Sequence, residues 1–207
     1  MNSITGTSDV IPISKAIALM QPADWVFYRG SSWSTYGIRI ASLSPYSHVG
    51  MVAFRDNDEE HRYPILLDTV QWRGARAVSL VGEVNRHPGR YVWFQTNPQN
   101  RWPEFDRQKA VNRMWDFTGI NYGWGALMWA SFVFLPGVRL FQKVDKFLVD
   151  EEATNNLPPF CSMAVGIATE AGGVDPVRNL RHSLTTPGVM SQSLFVRCMG
   201  ALIPDEK

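Results

Sequence analysis

"LPPFCSMAVGIATEAGG", Leu157 to Gly173, is the stretch on which the fold turns. Two prolines, a run of apolar and small residues, and paired glycines predict a helix that opens at Cys161 and stops at Gly172-Gly173. Cys161, Ala164, Val165 and Ala168 fall on one stripe, and side chains this small let another element pack close. The thiol therefore stands on the first turn, where unpaired backbone N–H groups and the helix dipole favour a thiolate. A buried cysteine is ordinarily just a small hydrophobe, so this one carries chemistry only if the rest of the chain brings a base to it.

Upstream of this helix the chain reads as a block of strands. The first twenty residues form an arm with a short helix over Ser14–Met20. "ADWVFYRG" reads as a strand, and "SSWSTYGIRIASLS" as a serine-capped helix. "HVGMVAF" and "YPILLDTV" form two strands around the polar turn "RDNDEEHR", and "ARAVSLVGEV" and "RYVWFQT" continue the run. "PEFDRQKAVNRMWDFTG" predicts a helix with Pro103 near its start, acidic residues in its first turn and Gly119 as its stop. An apolar helix, a charged segment (Lys143–Asn156), the Cys161 helix and a last strand, "SLFVRCMGALI", complete the order. At 207 residues and 45% apolar content this is one α+β domain built on an antiparallel sheet.

Four histidines are available to activate the thiol. His61, His87 and His182 lie in charged or loop segments and read as surface residues. His48 opens an apolar strand, and Gly50 two residues on leaves the same face of the sheet uncrowded. A thiol–imidazole pair works better with a third group that orients the ring. Asp68, alone among apolar residues in "PILLDTV", is the candidate, since an acid there is costly unless paired. A hairpin turning about Asp58 sets His48 directly opposite Asp68, but a slip of one residue would send them to opposite faces. Asp24 is the competing carboxylate and reads as structural, pinning the loop before its strand. No C-x-x-C or H-x-x-x-H spacing points to a metal site.

Composition narrows the partners. A formal net charge of +1 gives no basic stripe for nucleic acid. Arginine outnumbers lysine 15 to 5. Arg73, Arg76, Arg86, Arg90 and their neighbours are scattered, and read as surface and interface residues, with a carboxylate-bearing substrate as the alternative. The start lacks the pattern of a signal peptide, so the expectation is a cytoplasmic protein with two free thiols. "YGWGALMWASFVFLPGVRLF", Tyr122 to Phe141, is interrupted at Pro136, short of the ~20 residues of a spanning helix. It reads as a buried or substrate-groove helix, with interfacial membrane contact as the alternative.

"PADWVFYRG", "YSHVGMVAF" and "FCSMAVGIATEAGG", taken together, resemble the permuted papain-like amidases related to the NlpC cell-wall peptidases, the YiiX/YaeF-like branch. In ordinary NlpC enzymes the cysteine helix precedes the strands; here it follows them. "ILLDTVQWRGARAVSL" is similar to the family's acid-bearing strand and the strand after it, "FTGINYGW" to its Gly-x-x-Tyr segment, and "TTPGVMSQS" to its closing Thr-Pro turn. The likeness runs from about Asp24 to Ser193. Ala23 stands where the family favours glycine, Asp68 where glutamate is common, and residues 120–157 look like a helical insertion.

The resemblance implies a circularly permuted papain-like domain over residues 1–207 and a thiol hydrolase without metal or cofactor. Cys161 would attack an amide carbonyl, His48 would move the proton, and Asp68 would orient His48. Tyr46 and Tyr122 are candidates to line the substrate site, with core packing as the alternative for each. The expected substrate is a peptidoglycan stem peptide or an N-acyl amide. The alternatives are a structural protein of a larger assembly such as a phage virion, in which the chain would be carried, and a lipid-directed acyltransferase or lipase using the same triad.

Overall fold

Alternation of apolar side chains along each strand builds a sheet with two greasy faces. A computed structural model describes residues 9–30, 44–58, 61–123, 158–178 and 180–205. Its strands are Val10–Pro12 (β1), Trp25–Tyr28 (β2), His48–Asp58 (β3), His61–Val70 (β4), Gly74–Ser79 (β5), Tyr91–Thr96 (β6) and Val196–Ile203 (β7). They form one sheet in the order β1-β7-β6-β2-β3-β4-β5, in which β1 pairs parallel with β7 and every other pair is antiparallel. The helices among the described residues are Ile13–Leu19 (α1), Leu80–Arg86 (α2), Arg107–Asp116 (α3), Cys161–Ala171 (α4) and Pro187–Ser191 (α5). The protein is a mixed α+β fold with its sheet packed against helices.

Period-two patterning decides which helix covers which face. Trp25, Phe27, Val49, Met51, Leu67 and Phe94 point to a core shared with Ala110, Val111 and Met114 of α3 and with Ala164, Val165 and Ala168 of α4. Val26, Val52, Leu66 and Trp93 point the other way, against Ile13 and Ala16 of α1 and Leu80 and Val84 of α2. The small stripe foreseen on the cysteine helix is the surface that meets the sheet. All of its members are buried.

Several boundaries differ from the sequence expectation, each for a local reason. "ARAVSLVGEV" is a strand only as far as Ser79, whose hydroxyl accepts from the Gly82 N–H at 3.2 Å and starts α2. The helix expected from Pro103 starts at Arg107, because Asp106 caps it by accepting from the Lys109 N–H at 3.0 Å. Gly119, at φ +87°, follows its end. The arm contributes a strand, β1, that its short apolar run did not announce. Ala23 has φ +65°, a left-handed conformation that costs an L-residue energy and suits glycine. The helix expected over Ser31–Ser44, the charged segment and nearly all of the 120–157 insertion lie outside the described residues. No described helix is long and apolar enough to cross a membrane.

Candidate active site

At one end of the sheet β2 ends, β3 begins, β4 ends and β5 begins, and a cleft of about 750 Å³ opens there. His48 is the first residue of β3, and Asp68 lies near the end of β4. Met51 pairs with Leu67, so the same register carried back sets Gly50 across from Asp68. His48 is therefore diagonal to Asp68, not directly opposite as a turn about Asp58 required. The displacement is two residues, which keeps both side chains on one face. His48 Nε2 lies 3.1 Å from Asp68 Oδ2. A Cβ on Gly50 would come within 3.0 Å of the Asp68 Cβ and 2.8 Å of the Leu67 carbonyl oxygen, so the bare backbone there makes room for the acid.

Cys161 arrives from the helix that packs on the opposite face, and lines the same cleft. It is the first residue of α4, and the Phe160 cap offers no side-chain hydrogen bond, so no capping side chain competes with the thiol for the first amides of the helix. Burial raises the Cys161 pKa. The charge and hydrogen bond of His48, with the N–H groups of Val49 and Ser162, outweigh it and hold the thiol below its ordinary value. Burial acts on His48 in the opposite sense, but the charge of Cys161 and the hydrogen bonds His48 donates to Asp68 and Cys161 lift it to about 10. Each partner thus favours the other's charged form. The pairing therefore pushes the thiol toward thiolate and the imidazole toward imidazolium.

Asp68 carries more than the imidazole. Arg76, directly across the β4–β5 hairpin, donates from Nε to Oδ1 at 2.8 Å and from Nη2 to Oδ2 at 3.2 Å. Burial raises the Asp68 pKa, yet hydrogen bonds and charges from His48 and Arg76 prevail and leave it lowered. Behind Arg76 lies Glu83 of α2, 4.0 Å from Nη2. Glu83 accepts from the Tyr91 hydroxyl at 2.7 Å and from Arg86. Sequence reasoning missed this second tier. Asp68 and Arg76 are equidistant from Trp72, so a hairpin centred on "QWR" was the signal for Arg76. Glu83 was hidden by reading α2 as strand.

The remaining candidates separate cleanly. Tyr122 lines the cleft, and burial together with the Cys161 charge raises its pKa, so its phenol stays neutral. Tyr46 is not among the residues lining the cleft; its ring packs 5.0 Å from Phe27 and 5.7 Å from Phe94 in the core. Asp24 is wholly buried under β2, as its structural reading required, and takes no part in the cleft. His87 is exposed but belongs to the cleft, while His182 bonds Glu170 at 2.7 Å over Gly166 of α4. The side chain of His61 lies outside the description.

No protein-family model matches the chain, and no curated protein matches it either. Among solved structures it is similar to the crystal structure of the metalloprotein YiiX (DUF1105) from Escherichia coli O157:H7. That match has a TM-score of 0.58 at 14% identity and covers 89% of this chain and 98% of that one. The described residues offer no group of three or more His, Cys, Asp or Glu arranged to hold a metal ion. Both Asp68 oxygens are already taken by His48 and Arg76. What the chain shares with YiiX is its fold.

Proposed function

We propose that the protein is a thiol hydrolase of the circularly permuted papain-like kind, cleaving an amide bond through Cys161, His48 and Asp68. The observation that carries this reading is the convergence of a depressed thiol and a raised imidazole in one cleft, with a buried carboxylate behind the ring. The Cys161 thiolate attacks the carbonyl carbon. The oxygen that gains charge is held by the backbone N–H of Cys161, with the neutral Tyr122 hydroxyl, which borders the same cleft, as a second donor. His48, charged at this stage, gives its proton to the leaving nitrogen. The amine departs and a thioester remains. Water then attacks the thioester as His48 takes its proton, which releases the acid and restores the thiolate–imidazolium pair. Asp68 holds the ring in place, and Arg76 keeps Asp68 ionised. The substrate is a peptide or N-acyl amide, with a peptidoglycan stem peptide as the first to try.

Iodoacetamide labelling at neutral pH tests the nucleophile. Cys161 is expected to react at least about tenfold faster than the exposed Cys198, since one pKa unit changes the thiolate fraction by that factor. His48→Ala removes the difference, and Cys198→Ala preserves fast labelling at Cys161. Equal rates at the two cysteines would overturn the proposal.

A further inference from the structure

Arginines that are scattered in sequence converge at the cleft. Arg73, Arg76 and Arg86 all line it, and the acids lining it are Asp68 and Glu83. Both acids are engaged within the wall: Asp68 by His48 and Arg76, Glu83 by Arg86 and Tyr91. The Cys161–His48 pair is neutral in sum. One positive charge is left over, on a chain whose whole net charge is only +1, so the excess belongs to this cleft and not to a generally basic surface. Arg73 makes no ion pair among the described residues.

The turn that presents Arg73 is braced. The Arg73 N–H donates to the Val70 carbonyl at 3.1 Å, and the Ala75 N–H to the Ile120 carbonyl at 2.8 Å. Gly74, at φ +71°, has no space for a Cβ against the Ile120 carbonyl oxygen. Trp72 in the same turn combines a left-handed φ of +67° with 85% exposure. A bulky residue pays a conformational penalty in that region, and such outliers gather at ligand-binding rims.

We infer that the Gln71–Gly74 turn, through Arg73, forms an anion-binding rim beside Cys161, which takes a single carboxylate carried by the amide substrate. One uncompensated guanidinium matches a monoanion, and its planar fork matches the two oxygens of a carboxylate. The inference rests on the thiol-hydrolase reading for its substrate, but not for the charge site itself.

The test compares two reagents that alkylate Cys161 with loss of iodide: iodoacetyl-γ-aminobutyrate and its neutral carboxamide. Rates are taken at low salt and referred to those of a short cysteine peptide. The wild-type protein is expected to favour the anionic reagent by about three- to fivefold relative to the peptide, the span of a partly solvated ion pair. Arg73→Gln brings the ratio down to that of the peptide. Arg113→Gln, the same charge change on α3 away from the cleft, retains the wild-type ratio. A peptide-like ratio in the wild type, or an equal fall in both variants, would overturn the inference. Slow reaction of Cys161 with both reagents at an undiminished ratio would remove the hydrolase reading and leave the rim standing.

Discussion

Asp24 and Asp68 are 0% and 1% exposed, and each is held by one arginine, yet they have become different kinds of residue. Asp24 accepts from donors fixed in the core: Trp93 Nε1 and the Thr96 N–H and hydroxyl, all at 3.0 Å, the Gln21 N–H at 3.1 Å, and Arg107 Nη1 at 3.2 Å. Burial nevertheless dominates there and raises its pKa. Asp68 has only two side-chain partners, His48 and Arg76, but both are ionisable and border the cleft with it. Its pKa is lowered. Equal burial therefore says little about role. What separates the two acids is whether a partner can titrate and face a substrate.

The comparison breaks first on stability. Asp24→Ala leaves Trp93 Nε1 and the Thr96 N–H without their acceptor, and Arg107 without its counter-charge, in a closed site, and should cost about 3–5 kcal/mol in urea unfolding. A loss under about 1 kcal/mol would show that the core tolerates the hole, and would erase the contrast. Asp68→Asn should cost less, about 1–2 kcal/mol, because Arg76 keeps Glu83 and both border the cleft. Its main effect falls on chemistry: iodoacetamide labelling of Cys161 should slow by about tenfold, the consequence of roughly one pKa unit lost from the pair. Unchanged labelling would reduce Asp68 to a structural acid like Asp24.

The finest test is the sign of the acid response. Asp68 has a folded pKa below its unfolded value, so its stabilisation is full above the unfolded value and disappears as pH falls through the folded one. Asp24 has a folded pKa above its unfolded value, so acid protonates it first in the folded state and its contribution improves as pH falls. Urea midpoints measured from pH 6 down to pH 3, around the ordinary aspartate value of 3.8, should therefore fall less steeply in Asp68→Asn than in wild type. They should fall more steeply in Asp24→Asn. Slopes that change in the same direction would refute the distinction.

Much of this was legible along the chain. Prolines, small residues and paired glycines marked α4 and put Cys161 on its first turn, because these are local backbone signals. The lone acid in "PILLDTV" and the histidine opening "HVGMVAF" stood out because burial of either demands a partner. The hairpin register was not legible to the residue: an irregularity between Asp56 and Asp58 shifts the pairing. The face survived because an error of two preserves it. Tyr46 took the alternative of core packing, because an aromatic two residues before a catalytic candidate fills a core equally well.

By itself the sequence determined the elements and their apolar faces, since helix caps, turn glycines and period-two alternation act over a few residues. It also determined which side chains were too polar to be buried alone. Only the tertiary structure decided which of them would meet. The joining of Cys161 to His48 across more than a hundred residues, the seating of Arg76 on Asp68 and the gathering of Arg73 and Arg86 at one cleft all depend on strand register and helix docking. Those are set by packing of the whole core against the sheet, and no local run of residues encodes them.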